Sequence, residues 1–154
     1  MNPPSISFSL REWQRHDIPI VYDMVVQLAV YEKEPDAVTT TTEAYYKAYD
    51  EGLIRGHLVI LDSGKIVGMT LFYPAFSTWK GPMLYLEDFF VLEEYRKSGI
   101  GKLLFDAYVI EAKKRQCTTI KWQVLDWNTP AIKFYEKAGV DIVTNWWTCK
   151  KILP

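Results

Sequence analysis

A chain of 154 residues, 49% hydrophobic and 24% charged, is long enough to bury a sizeable core and is not disordered in composition, so one domain spanning residues 1–154 is expected. A formal net charge of −1 gives no electrostatic footprint for nucleic acid or anionic lipid, and no apolar run reaches membrane-spanning length. Two cysteines and two histidines exclude a disulfide framework and leave no metal site to expect; with no signal-peptide pattern in Met1–Ser5, a cytoplasmic setting is the expectation.

In chain order, Ser5 to Trp13 alternates, with Ile6, Phe8 and Leu10 on one face, which predicts a first strand. Asp17 and Pro19 mark a helix start, and Val21, Met24, Val25, Leu28 and Ala29 carry a buried helical stripe to about Tyr31–Glu32. Thr40-Thr41-Thr42-Glu43 reads as a capping box opening a short helix with Tyr45, Ala48 and Tyr49 together. His57–Leu61 and Ile66–Tyr73 are expected strands joined by a hairpin at Asp62-Ser63-Gly64-Lys65. A loop from Pro74 to Pro82 should follow, then a strand over Met83–Leu92. A helix to about Arg115 comes next, with Ile100, Leu103, Leu104, Ala107 and Tyr108 on one face. Ile120–Leu125 alternates as a strand. Asp126 to Pro130 starts a helix that Gly139 closes, and Ile142–Val143 and Trp147–Ile152 are expected closing strands.

Between the Met83–Leu92 strand and its helix stands Arg96-Lys97-Ser98-Gly99-Ile100-Gly101. A glycine-containing turn from strand to helix aims backbone N–H groups and a helix N-terminus at an anion, most often a phosphate. Arg96 and Leu103 stand where a P-loop needs Gly and Ser or Thr, and Leu104 stands where a dinucleotide fingerprint needs a third small residue. Taken alone, the hexapeptide is equally an ordinary strand-to-helix turn.

Two further stretches bear on the choice. Arg-x-x-Gly-x-Gly after a strand, with Asn128-Thr129-Pro130-Ala131-Ile132-Lys133-Phe134-Tyr135 downstream, resembles the GNAT superfamily of N-acetyltransferases. Tyr85-Leu86-Glu87-Asp88-Phe89-Phe90-Val91 is similar to the central strand of the spermidine/spermine (diamine) N-acetyltransferases and their thialysine-acting relatives. Ala29-Val30-Tyr31-Glu32 resembles the end of that subfamily's first helix. The resemblance implies an α/β GNAT fold. Its central sheet would be mixed but mostly antiparallel, with six to seven strands, about four helices and central strands splayed at the acetyl-CoA site. It implies a homodimer that takes a small-molecule amine.

Residue by residue, the resemblance implies that Phe89, Phe90 and Val91 bond the pantetheine arm as if it were an added strand. The turn and helix start, Arg96, Lys97, Ser98, Gly99, Ile100, Gly101 and Lys102, would cradle the pyrophosphate. Asn128 would contact acetyl-CoA and Tyr135 would face its sulfur. Tyr31, Glu32, Glu87 and Asp88, with Lys121, Trp122 and Gln123, would line the amine pocket. Two departures stand out. Lys97 occupies a position where relatives often have Gly, so φ there is expected to be negative or strained. The polyamine enzymes carry acidic residues near the positions of Thr144-Asn145, and this chain has none, which favours short diamines or lysine-like amines over spermine.

Acetyl transfer needs a base for an ammonium that titrates near ~10.4 as Lys does, a donor for the developing oxyanion and a proton for the leaving thiolate. Glu87 suits the first task and Tyr135 the last. Adjacent strand residues point to opposite faces, so Glu87 and Asp88 enter one pocket only through a bulge. Two alternatives to an amine N-acetyltransferase are an idle acyl-CoA-binding module and a peptide-amine acetyltransferase, which the loop from Pro74 to Pro82 disfavours.

Overall fold

The computed structural model describes residues 5–154, which fall into two units, one up to Trp122 and one from Gln123. In the first, five strands lie in the order β1-β2-β3-β4-β5: β1 Phe8–Glu12, β2 His57–Leu61, β3 Ile66–Ser77, β4 Gly81–Val91 and β5 Thr119–Lys121. All neighbours are antiparallel except β4 and β5, which run parallel. Helices α1 (Ile18–Tyr31), α2 (Thr42–Asp50) and α3 (Ile100–Lys114) complete this unit, and α4 (Thr129–Lys137) belongs to the second.

Helix starts follow local chemistry. Thr41 caps α2 by accepting from Ala44 N–H at 3.3 Å. Asp17 precedes α1 but spends its carboxylate elsewhere, accepting 2.7 and 2.9 Å bonds from Arg11. One apolar cluster gathers Trp13, Ile18, Val21, Met24, Leu28, Leu58, Met69, Leu71 and Phe90, with α2 contributing Tyr45, Tyr46 and Tyr49. Another joins Val59 and Val67 of the sheet to Ile100 and Leu104 of α3. Alternation along the strands thus supplies both faces of the sheet. Gly56 is required by the first cluster, because a Cβ there would stand 1.8 Å from Thr70 O and 2.2 Å from the Trp13 indole nitrogen.

Four expectations need correction. The segment from Pro74 to Pro82 is no loop: β3 runs to Ser77 and pairs with β4 down to Ser77↔Gly81. Pro74 is tolerated because β2 pairs with β3 only as far as Met69, so the missing N–H lies on a side with no ladder. The sheet has five strands rather than six to seven. Residues 141–154 are exposed and form no ladder, so expected strands at Ile142–Val143 and Trp147–Ile152 are absent. A strand needs a neighbour for its N–H and C=O groups, and apolar residues without a face to bury do not provide one. The expected Ile120–Leu125 strand shortens to Thr119–Lys121.

Candidate active site

The β4–β5 ladder covers only Met83↔Thr119, Leu84↔Ile120 and Tyr85↔Lys121, whereas β4 continues to Val91. No β5 residue runs beside the last half of β4, which is the splay expected of this sheet. On the opposite edge, the β3–β4 register changes within two residues. Leu71 pairs with Asp88 and Phe72 with Leu86, so Glu87 is the extra residue of a bulge. The bulge cancels the normal alternation, and Glu87 and Asp88 line one cavity of about 270 Å³.

The rest of that cavity comes from neighbouring elements. Thr40 precedes helix α2, which presents Ala44, Tyr45 and Ala48; Ile54 follows it, and β3 supplies Leu71 and Tyr73. Ala44, Tyr45 and Ala48 share one helical face. Tyr73 stacks on Tyr85 at 5.1 Å, and Tyr45 meets Tyr22 edge to face at 5.3 Å.

Burial, with Glu87 and then Glu32 nearby, pushes the Asp88 carboxyl up to about 7. Burial also raises Glu32, which caps the C-terminus of α1. Tyr45 is pushed up to about 12 by burial and then by Asp88, Tyr22 and Glu87; Tyr73 reaches about 12 through burial and Glu87. Among the described residues, none of Glu32, Glu87 and Asp88 forms a salt bridge. The site is a patch of negative potential with no resident cation, and it would attract one.

Beyond Val91, a single 3-10 turn at Glu93–Tyr95 leads into the glycine turn. The Arg96 Nε donates to Val91 O at 2.9 Å, and its guanidinium carbon lies 4.6 Å from the centre of the Tyr31 ring. Arg96 therefore braces the turn, and Tyr31 packs under it instead of lining the cavity. Ser98 donates its hydroxyl to Tyr95 O. Lys97 has φ of 61°, so the strained alternative holds there. Gly99 has φ of 88° and open space where a Cβ would project, and it heads α3, whose first-turn N–H groups have no acceptor within the helix. Ile100 is fully buried and anchors that start, while Lys102 pairs with Asp106 on the surface. An open backbone approach, aligned N–H donors and basic side chains fit a pyrophosphate.

Of the remaining candidates in this unit, Lys121 is exposed on β5, and Trp122 packs edge-on against Phe105 at 5.5 Å and Tyr108 at 6.3 Å. Trp122 serves the α3 packing and is not a cavity wall. In the second unit, Gln123 donates its amide to the Thr148 hydroxyl. Asn128 caps α4 by accepting from Ala131 N–H at 3.4 Å, and Tyr135 is buried on α4 with Phe134 at 5.6 Å. Among the described residues, no group of three His, Cys, Asp or Glu side chains is placed to hold a metal ion.

Sequence reasoning missed Thr40, Ala44, Tyr45, Ala48, Ile54, Leu71 and Tyr73 as cavity walls. The spacing of Tyr45, Ala48 and Tyr49 did place a common helix face, but period alone does not separate a face turned to a core from one turned to a cavity.

The family model for the acetyltransferase (GNAT) family matches residues 10–140. The thialysine N-epsilon-acetyltransferase of Bos taurus is 34% identical over 151 residues, covering 91% of this chain and 89% of that protein. That of Caenorhabditis elegans is 32% identical over 113 residues, covering 73% and 70%. Among solved structures, the aminoglycoside N-acetyltransferase AAC(6')-Iy in complex with CoA superimposes with a TM-score of 0.74 at 17% identity, covering 98% of this chain and 99% of that one, a likeness of fold.

Proposed function

The chain belongs to the GNAT acetyltransferase family, and on that premise we propose that it moves the acetyl group of acetyl-CoA onto a primary amine of a small diamine, polyamine or lysine-like molecule. The observation that carries the substrate class is the bulge in β4, which turns two adjacent carboxylates into one cavity without a protein cation. Two curated relatives are named for acetylating thialysine, a lysine-like amine, which agrees with that charge.

Acetyl-CoA supplies an activated acetyl thioester. The ammonium first gives one proton to a base; the free amine nitrogen then bonds to the acetyl carbon as the C–S bond breaks, and the second proton lost from nitrogen is balanced by the one the thiolate gains. The Glu87–Asp88 pair is the proposed base. Glu87 was the choice from sequence, but a carboxyl near 7 takes and returns a proton at neutral pH better than an ordinary one, so Asp88 is assigned the proton and Glu87 the ammonium. Backbone N–H groups of β4 beyond Tyr85 are the proposed oxyanion donors, and Phe89 to Val91 the edge for the pantetheine arm. Residues 96–102 are assigned the pyrophosphate. Asn128 as a cofactor contact and Tyr135 as proton donor to sulfur enter through the family pattern alone.

The same proposal takes residues 1–154 as one acetyltransferase domain acting as a cytoplasmic homodimer, assigns no metal and no nucleic-acid partner, and is supported by the family pattern. Among the described residues, no helix is long and apolar enough to cross a membrane. The test is a screen of short diamines, thialysine, spermidine and spermine for release of CoA thiol, with the acetylated amine identified by mass spectrometry. An amine-dependent rate supports the reading. A protein that binds acetyl-CoA yet releases thiol no faster with any amine is the idle binding module instead.

A further inference from the structure

The cavity beside the bulge takes its charge from a single strand. Among the described residues that line it, Glu87 and Asp88 are the only ionisable groups apart from the two tyrosines, and both come from β4. The rest of the wall is mostly apolar: Ala44 and Ala48, one helical turn apart on α2, with Ile54, Leu71 and the tyrosine rings, and Thr40 beside them. Glu43 and Lys47, the charged residues beside those alanines, are not part of the wall, and neither is Glu32. A short diamine can set one nitrogen on each of the two carboxylates, and it leaves the apolar part of the wall unused. A monoamine with a hydrocarbon body meets the opposite situation, since its ammonium reaches the carboxylates and its tail meets apolar side chains and tyrosine rings.

We infer that the cavity between α2 and the β4 bulge takes primary monoamines with a short alkyl or single-ring aryl tail, alongside the diamines, and that Ala44 and Ala48 set the length of tail admitted. The inference rests on the acetyltransferase reading and deepens it. The reaction is unchanged: the ammonium gives one proton to the carboxylate pair, an N–C bond forms as the thioester C–S bond breaks, and the nitrogen's second proton is balanced by the one that CoA carries away as its thiol. The two alanines matter because they are the small residues of the helix face turned to the cavity. Any longer side chain there would occupy the volume that the tail needs.

The experiment is kcat/KM for the series ethylamine, propylamine, butylamine and pentylamine, with 2-phenylethylamine and a short diamine as companions. A methylene moved from water to an apolar wall is worth roughly fourfold, so kcat/KM should climb about threefold to fourfold per carbon until the cavity is full. In Ala48→Leu the ratio of pentylamine to ethylamine should fall at least tenfold. Leu is a good helix former and position 48 is only half buried, so the helix should tolerate it; a thermal melt checks this. The wild-type series needs no variant and stands by itself. Turnover of the diamine with a flat or falling alkyl series overturns this inference and leaves the acetyltransferase reading intact, as does a steep series that Ala48→Leu fails to flatten. Absence of turnover with every amine, the diamine included, overturns the acetyltransferase reading and this inference with it.

Discussion

Replacing Asp88 by Asn should make the protein more stable and less active at once. Burial and the facing Glu87 and Glu32 raise this carboxyl from 3.8 to about 7 in the folded chain, a displacement of about three pH units. Each unit corresponds to ~1.36 kcal/mol, so ionised Asp88 weighs on the fold by about 4 kcal/mol at most. Because the folded pKa is the higher one, folding takes up a proton between the two values. The stability attached to the protonated form is complete below about 4 and is lost as pH rises through about 7. Asparagine has no charge to bury at any pH, but its amide needs partners that a carboxyl position does not offer, a loss of ~1–2 kcal/mol. The net expectation for Asp88→Asn is a gain of about 2 kcal/mol at pH 8, or ~4–8 °C in Tm for a chain of this size, and no gain near pH 4. Urea unfolding of both proteins at the two pH values measures it. An Asp88→Asn protein less stable than the parent at pH 8 would refute the placement of this carboxyl in a negative, poorly solvated pocket.

Other perturbations separate the remaining roles. Gly101→Val, one residue into α3, should weaken acetyl-CoA binding in calorimetry while the fold survives, and unchanged affinity in a folded variant would remove residues 96–102 from the pyrophosphate. Tyr135→Phe keeps the ring and should lower kcat by roughly tenfold to a thousandfold with little change in acetyl-CoA affinity, as loss of a proton donor does. Glu32→Gln should mainly raise KM for a diamine, through the field it exerts at Asp88, whereas Glu87→Gln should act on kcat as well. Spermine should be a poorer substrate than a short diamine, and a spermine kcat/KM ahead by an order of magnitude would require an acidic patch elsewhere.

Sequence periodicity and punctuation located α1, α2, α3 and α4 and the His57–Tyr73 hairpin, because each has its own stripe, cap or turn residues. Gly139, with φ of 76°, closes α4 as its position suggested. The ladder beyond Pro74 was not legible. Proline reads as a break, and whether it breaks a strand depends on which edge has a neighbour, a fact of topology. The closing strands expected at Ile142–Val143 and Trp147–Ile152 were equally misleading, since residue type says nothing of the availability of a pairing partner. At the site, the Glu-Asp pair in an apolar strand announced itself, and strand geometry stated the condition for both to share a pocket. It did not reveal that the condition is met, because the bulge lies in the pairing of Leu71 and Phe72 with β4. Nor could it divide labour between the two acids. Asp88 is singled out by burial and by the charge of Glu32 at the end of α1, a proximity made only in three dimensions.

The pH dependence of kcat/KM for a short diamine, measured side by side in the parent protein and in Asp88→Asn, tests most directly whether this carboxylate pair is the base of an amine acetylation. The parent should show an ascending limb centred near 7, where Asp88 loses its proton, and a plateau above it. Asp88→Asn should lose that limb and run roughly a hundredfold or more slower at the plateau. A limb of the same midpoint and a plateau of the same height in Asp88→Asn would contradict the account.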